Sequence, residues 1–350
     1  MKISLQDILK LVLSFALTGY ILYITITGQD LNWEEIRESL KSFNYGWILL
    51  SIFMGWVSHY LRAYRWTLLL KTKGYKPGVN TTFLAVMVGY LTNMAIPRLG
   101  EVTRCSVLKS EKNIPVSFSL GTVITDRLLD LFMLGVCTLL LIATQFNVIG
   151  NYFREFADDK VPFLLQMWPY LLLAGIVGVL VLFWLVRKSR KAQPSNSLLY
   201  KISNFVTDLL EGVKSLKKVP NQLGLWLSTL AIWILYFLML YVISFGFAPT
   251  ADLSLYAGLA VLVMGSLGMA TPTASGIGAY QAFVAGILVI YGISFSDGYI
   301  FAVVSHGSQI ISAIVVGILS VIMLNFRKRR RNSDSNSREN NRSTHPQVSH

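Results

Sequence analysis

Run after run of this chain extends for about 20 residues with almost no charge, the length a helix needs to cross roughly 30 Å of hydrocarbon. Such runs occupy Ile8 to Thr27, Gly46 to Leu70, Thr81 to Pro97, Ser117 to Thr144, Phe163 to Val186, Leu223 to Phe247 and Tyr299 to Phe326. From Leu253 to Ser294 there is no Asp, Glu, Lys or Arg at all. Backbone in lipid must satisfy its own hydrogen bonds, so these runs predict helices and an all-α polytopic membrane protein. Only 14% of the 350 residues are charged, against roughly 25% in a soluble domain, which argues against a soluble catalytic domain. The formal charge of +13 does not point to nucleic acid, because the basic residues sit in short loops and the C-terminal tail. There they set orientation and meet anionic lipid headgroups. Cys105 and Cys137 fit no disulfide framework or metal-ligand spacing and read as small apolar fillers; no cofactor or metal is expected.

The apolar run from Ile8 is long for a signal core, and Ile24 to Gly28 offers no small-residue cleavage site, so it reads as an uncleaved first helix. Orientation follows the excess of Lys and Arg in cytoplasmic loops. Residues 28–45 hold Asp30, Glu34, Glu35 and Glu38 against Arg37 and Lys41 and belong outside, which puts the N-terminus inside. The run ending at Leu70 closes on Arg62, Arg65, Lys71, Lys73 and Lys76, a return to the cytoplasm. The run from Thr81 to Pro97 has basic residues at both ends, with Arg98, Arg104, Lys109 and Lys112 following it. A segment with both ends on one side cannot span, so it is expected to dip in, turn near Pro97 to Gly100 and return.

The later spans alternate until the final one meets Arg327 to Arg331 inside. The uncharged segment before it then starts and ends outside, as two short crossings or a second re-entrant hairpin broken at Thr271 to Gly278. The expectation is about six spans plus two re-entrant hairpins, an inverted repeat of the kind that marks transporter sites at the midplane. That repeat is read from topology alone. Helical spacing of Leu198, Ile202, Phe205, Leu209, Val213 and Leu216 predicts an amphipathic helix within 196–219, lying on the inner leaflet or packed on protein. Residues 327–350 are expected to form a disordered basic tail.

Two clusters could carry chemistry. At the first hairpin stand Asn93, Pro97, Arg98, Gly100, Glu101 and Arg104. Arg98 and Arg104 could clamp a lipid phosphate, since guanidinium is a planar fork of donors, with Glu101 neutralising one of them in its absence. Equally, they could be loop charges anchoring the hairpin at the headgroups. Further on, Asp126 and Asp130 share a helix face, with Arg127 spaced to pair with Asp130. If the span starts near Ser117, Asp126 lies roughly 13 Å along it, below the headgroups, and needs a cavity or a partner such as Arg98 or Arg104. If the span starts later, the cluster is interfacial. His59 and His306 read as packed histidines rather than ligands, and Trp33, Trp47, Trp66, Trp168 and Trp226 as interfacial anchors.

The ordered motifs Pro97-x-x-Gly100-Glu101-x-x-Arg104, Asp126-Arg127-Leu128-Leu129-Asp130 and Pro272 with Gly276-Ile277-Gly278 resemble the flippase-like family that includes the transmembrane part of lysylphosphatidylglycerol synthase. The likeness covers residues 8–326 and implies a single flippase-like domain, residues 1–326, that binds or translocates a phospholipid or polyprenol-linked lipid. Non-helical backbone at membrane depth needs cover and arginines near that depth need anions, so the two hairpins are expected to meet in one lipid-phosphate pocket, with Arg98 and Arg104 on its cationic side and Pro272, Gly276, Gly278 and Gln281 in its opposite wall. The family's Pro-Gly-Gly-x-Gly followed by glutamate is here Ala274-Ser275-Gly276-Ile277-Gly278 and Gln281, which argues against proton or cation coupling through that hairpin. No soluble aminoacyl-transfer domain is present, so catalytic residues are not expected. Competing readings are a transferase using a polyprenyl-phosphate donor and a non-transporting scaffold for a lipid-modifying enzyme. The expected location is the bacterial cytoplasmic membrane, with both termini cytoplasmic.

Overall fold

Ile96 and Thr271, the residues before Pro97 and Pro272, both have extended backbone, with φ/ψ of −136°/109° and −64°/150°. A following proline disfavours helical backbone, so each marks a helix end where the sequence places one. These stops organise the computed structural model, which describes residues 33–96, 99–160, 216–271 and 273–344, with positions 16, 19 and 20. In chain order the helices are α1 Trp33–Ser42, α2 Tyr45–Leu70, α3 Val79–Ala95, α4 Leu99–Lys112, α5 Val116–Lys160, α6 Gln222–Ser244, α7 Leu255–Ala270, α8 Ala279–Ile290 and α9 Phe295–Thr344. Among the described residues there is no strand. The protein is an all-α polytopic membrane protein, and Val116–Phe146, Gln222–Ser244 and Phe295–Arg330 are each long and apolar enough to cross a bilayer.

Short polar residues start the long helices. The Asn44 side chain accepts from the Gly46 amide at 3.0 Å, Asn221 from Gly224 at 2.8 Å and Ser254 from Ala257 at 3.1 Å, each satisfying an amide that the first turn leaves without a partner. Gly74, at φ +80°, takes the left-handed conformation that ends the turn after α2.

The order helix, hairpin, helix occurs twice: α2, α3–α4, α5, then α6, α7–α8, α9. Glycines set the closeness of both hairpins. A Cβ on Gly100 would land on the Gly89 carbonyl oxygen, and one on Gly89 would sit 2.8 Å from that of Gly100. In the second hairpin a Cβ on Gly268 would lie 2.8 Å from the Tyr280 Cα. The backbones therefore touch, as small residues allow between helices in a membrane. The open ends of α3–α4 share one apolar core with the end of α2 and the start of α6, where Leu70, Leu108, Ile114 and Leu225 pack together. A second core joins α7, α8 and α9 through Val261, Val284, Leu288 and Phe301. Large apolar side chains such as Leu139, Leu227 and Ile318 face outward, as lipid contact requires.

The helical run of α9 continues through the basic residues to Thr344, where disorder is expected from composition. Extending an existing helix adds a backbone hydrogen bond per residue without a new nucleation cost. The amphipathic helix expected within 196–219 lies outside the described residues, apart from its last four positions.

Candidate functional site: a buried arginine cluster

Two helices facing each other build the centre of the site. Arg62 and Arg65 are one turn apart on α2, as are Asp126 and Asp130 on α5, so each pair presents a single face. Arg65 donates from Nε to Asp126 Oδ1 at 2.8 Å and from Nη2 to Asp130 Oδ1 at 2.7 Å. Arg62 donates from Nη2 to Asp130 Oδ2 and from Nη1 to the Tyr236 hydroxyl of α6, the latter at 2.7 Å. Arg62, Arg65 and Asp126 are buried. At 1.5 Å per residue, Arg62 stands about 12 Å before the end of α2 and Asp126 about 15 Å after the start of α5, so both lie well inside the apolar part of their helices.

Arg104 reaches this cluster from the returning arm of the hairpin. It is 3% exposed, its guanidinium sits over the Trp66 ring at 4.6 Å from the centroid, and Nη1 is 3.9 Å from Asp126 Oδ2. Among the described residues its Nε and Nη2 have no hydrogen-bond partner. Trp66, expected at an interface, is instead fully buried and donates from Nε1 to Thr122 Oγ1 at 2.9 Å. Packing against the hairpin overrides the preference of indole for a wet edge.

Arg127 does not pair with Asp130. It donates from Nε to Glu101 Oε1 at 3.1 Å, bridging α5 to α4 with the two side chains 46% and 35% exposed. Its neighbour Asp126 points inward and Arg127 outward, so the nearest carboxylate lies on the next helix. Asn93 closes the hairpin by accepting from the Gly100 amide at 2.7 Å. Pro97 and Arg98, and likewise Pro272, lie outside the described residues, so the expected Arg98 contribution has no geometry here.

The second hairpin carries a neutral cluster. Ser275, Gly276 and Gly278 have φ of +52°, +78° and +83°, a left-handed stretch that glycine tolerates at two of the three positions. The Gly278 amide donates to Gln281 Oε1 at 2.8 Å, Gln281 Nε2 lies 3.4 Å from His306 Nδ1, and the His306 ring packs on Tyr280 at 4.6 Å. His306 is thus a packed, partnered histidine. His59 packs on Tyr90 at 5.0 Å, while its Nδ1 has no partner among the described residues.

Among the described residues Gln281 bonds to Gly278 and His306, while Arg104 meets Trp66 and Asp126, so each hairpin contributes a cluster of its own contacts. The two are joined through α3, which packs on α4, on the Ala274–Gly276 turn and on α9. Arg62, Arg65 and Tyr236 were not foreseen as site residues. Their signal was present: Arg62 and Arg65 interrupt an apolar run eight and five residues before its end, too deep to be only orientation charges.

Comparison with known proteins bears on what such a cluster serves. Residues 8–317 match the family described as the lysylphosphatidylglycerol synthase TM region. A UPF0104 membrane protein of Methanocaldococcus jannaschii is 23% identical over 261 residues, covering 70% of this chain and 76% of the relative. No solved structure gives a significant match. With nearly the whole helical region matched, the chain belongs to the lysylphosphatidylglycerol synthase transmembrane-region family.

Proposed function

We propose that this chain binds a membrane lipid through its phosphate at Arg104 and moves that lipid across a bacterial cytoplasmic membrane, with both termini on the cytoplasmic side. The observation that carries the reading is the buried Arg104 guanidinium with Nε and Nη2 unpartnered among the described residues. Unmet donors on a buried cation are costly, and a phosphate oxygen pair fits two adjacent guanidinium nitrogens. Phospholipid and polyprenol-linked lipids both supply that group, and the family's name ties it to a phospholipid product. The basic loops and tail add contacts to anionic headgroups. We read the protein as a carrier rather than an enzyme, since the carboxylates of the cluster are engaged by Arg62 and Arg65.

The test has two readouts on the intact chain: lipid retained after gentle purification, by mass spectrometry, and leaflet exchange of fluorescent lipids in reconstituted vesicles. Wild type should retain phosphate-bearing lipid and accelerate exchange, and folded Arg104→Gln should lose both. Retention and exchange unchanged in Arg104→Gln would overturn the assignment. Retention without exchange would leave a lipid-binding protein that does not translocate.

A further inference from the structure

We infer that Trp233, with Tyr291 of the same core, donates to the ester carbonyls of the bound lipid, so that the chain takes a diacyl glycerolipid in preference to a polyprenol-linked lipid or a dialkyl ether lipid. This rests on the reading that the chain binds a lipid by its phosphate, and concerns the part of that lipid next to the phosphate.

Buried side-chain nitrogens and oxygens with no hydrogen-bond partner among the described residues fall into two groups. Those of Arg62, Arg65, Arg104 and Asp126 belong to the charged cluster, and that of His59 stands one turn before Arg62. The other two are neutral: Trp233 Nε1 on α6 and the Tyr291 hydroxyl at the end of α8. Buried indole and phenol groups ordinarily find a partner, and indole can only donate. Trp233 is 5% exposed and packs with Cys137, Leu141, Ile232, Ala260 and Val263, and Tyr291 packs against the same core.

These surroundings select the acceptor. The residues packed around Trp233 are apolar, and an anionic oxygen buried among them would lack the counterion that the arginines offer it elsewhere. A water needs about two to four polar partners, more than this core supplies. A carbonyl oxygen on an otherwise apolar molecule needs one donor and is uncharged, which matches.

Depth ties this donor to the arginines. Leu70 of α2 and Leu225 of α6 pack in one core. Arg62 stands eight residues before Leu70 and Trp233 eight after Leu225, in each case about 12 Å along the helix, so the two lie level. Tyr236 links them: its hydroxyl accepts from Arg62 at 2.7 Å, and its ring meets the Trp233 ring edge-on at 6.1 Å. In a glycerolipid one glycerol joins the phosphate to the ester carbonyls, so a lipid held by the arginines brings a carbonyl to this depth. In a polyprenol-linked lipid hydrocarbon follows the phosphate directly, and both donors stay unmet.

The experiment is a competition read by native mass spectrometry. The full chain in neutral detergent is given equal amounts of diacyl phosphatidylglycerol, its dialkyl ether form with matched chains, and undecaprenyl phosphate. Wild type should retain the diacyl lipid about fivefold over each of the others, the net effect of one hydrogen bond. Trp233→Phe keeps an aromatic ring without the N–H and should bring the ester-to-ether ratio close to one. Tyr291→Phe removes a single oxygen, so it tests the inference even where Trp233→Phe folds poorly, and it should lower the ratio by a smaller factor. A merely structural loss would reduce ester and ether lipids alike and leave the ratio unmoved, and a ratio unmoved in both variants overturns the inference. Equal retention of ester and ether lipids by wild type, lost in Arg104→Gln, overturns the carbonyl recognition and leaves the phosphate seat standing. Retention of undecaprenyl phosphate over the diacyl lipid overturns it as well. Displacement of the diacyl lipid by an equal amount of menaquinone, in wild type but not in Trp233→Phe, would assign the donors to a quinone carbonyl and overturn the ester assignment. Retention of none of these lipids would remove the lipid reading itself.

Discussion

The Arg104 guanidinium lies over the Trp66 ring, 4.6 Å from its centroid, so an indole forms the floor on which a buried cation rests. The ring attracts the cation, by about 2 kcal/mol or more where water is excluded, and Trp66 Nε1 is tied to Thr122 on the opposite helix. Trp66→Leu should therefore lower thermal stability in detergent by about 2 kcal/mol and weaken lipid retention. Trp66→Phe keeps a ring under the cation and should lose less. Equal losses in the two variants would mean that volume, not the aromatic face, is what matters.

The ion pairs divide sharply by burial. Arg65→Ala strands Asp126 inside the bundle and should cost about 3–5 kcal/mol, seen as poor expression or a large drop in unfolding temperature. Arg127→Ala breaks a half-exposed pair and should cost less than about 1 kcal/mol. A mild Arg65→Ala would show that water reaches the cluster.

Gly100 has no room for a side chain, because a Cβ there would collide with the Gly89 carbonyl. Gly100→Ala should push the hairpin arms apart and reduce the yield of monodisperse protein on size-exclusion chromatography. Gly121→Ala is the control: nothing lies within 4 Å of its Cβ direction, and the helix should gain up to about 1 kcal/mol.

The orientation of the first hairpin is open to labelling. Cysteines placed at Gly78 and Asn113 should both react with an impermeant reagent from the cytoplasmic side, although α3 and α4 lie between them. Asn113 accessible only from outside would turn the hairpin into a crossing and remove the repeat.

At the second hairpin, Gln281→Leu removes the acceptor of the Gly278 amide and the contact to His306. A buried donor left unmet costs about 1–3 kcal/mol, so unfolding in detergent should come measurably earlier. Gln281→Glu keeps the acceptor and should cost less.

Breaks in the helices could be read directly, because proline acts on the residue before it, and Ile96 and Thr271 duly leave helical backbone. The acidic pair was legible too, as Asp126 and Asp130 sit one turn apart in an apolar run. Their partners were not. Arg62 and Arg65 read in the sequence as end-of-span charges, since linear order does not tell an arginine at a helix end from one a few residues inside it. Spacing suits Arg127 to Asp130, but spacing fixes only which face is shared, and the packing of α4 against α5 brings Glu101 to Arg127 instead. Trp66 failed for the same reason: its neighbours come from helices distant in sequence.

Helix α3 touches the returning arm α4, the Ala274–Gly276 turn and α9 at once. A Cβ on Gly317 of α9 would lie 2.8 Å from Leu91 and 3.1 Å from the Met87 carbonyl, both on α3. Close-packed surfaces of this kind compress little and transmit strain from one element to the next. Helix α3 is therefore a common strut between the charged and the uncharged halves of the bundle, and a rigid shift that widens the space beside Arg104 must carry the broken turn of the other hairpin with it.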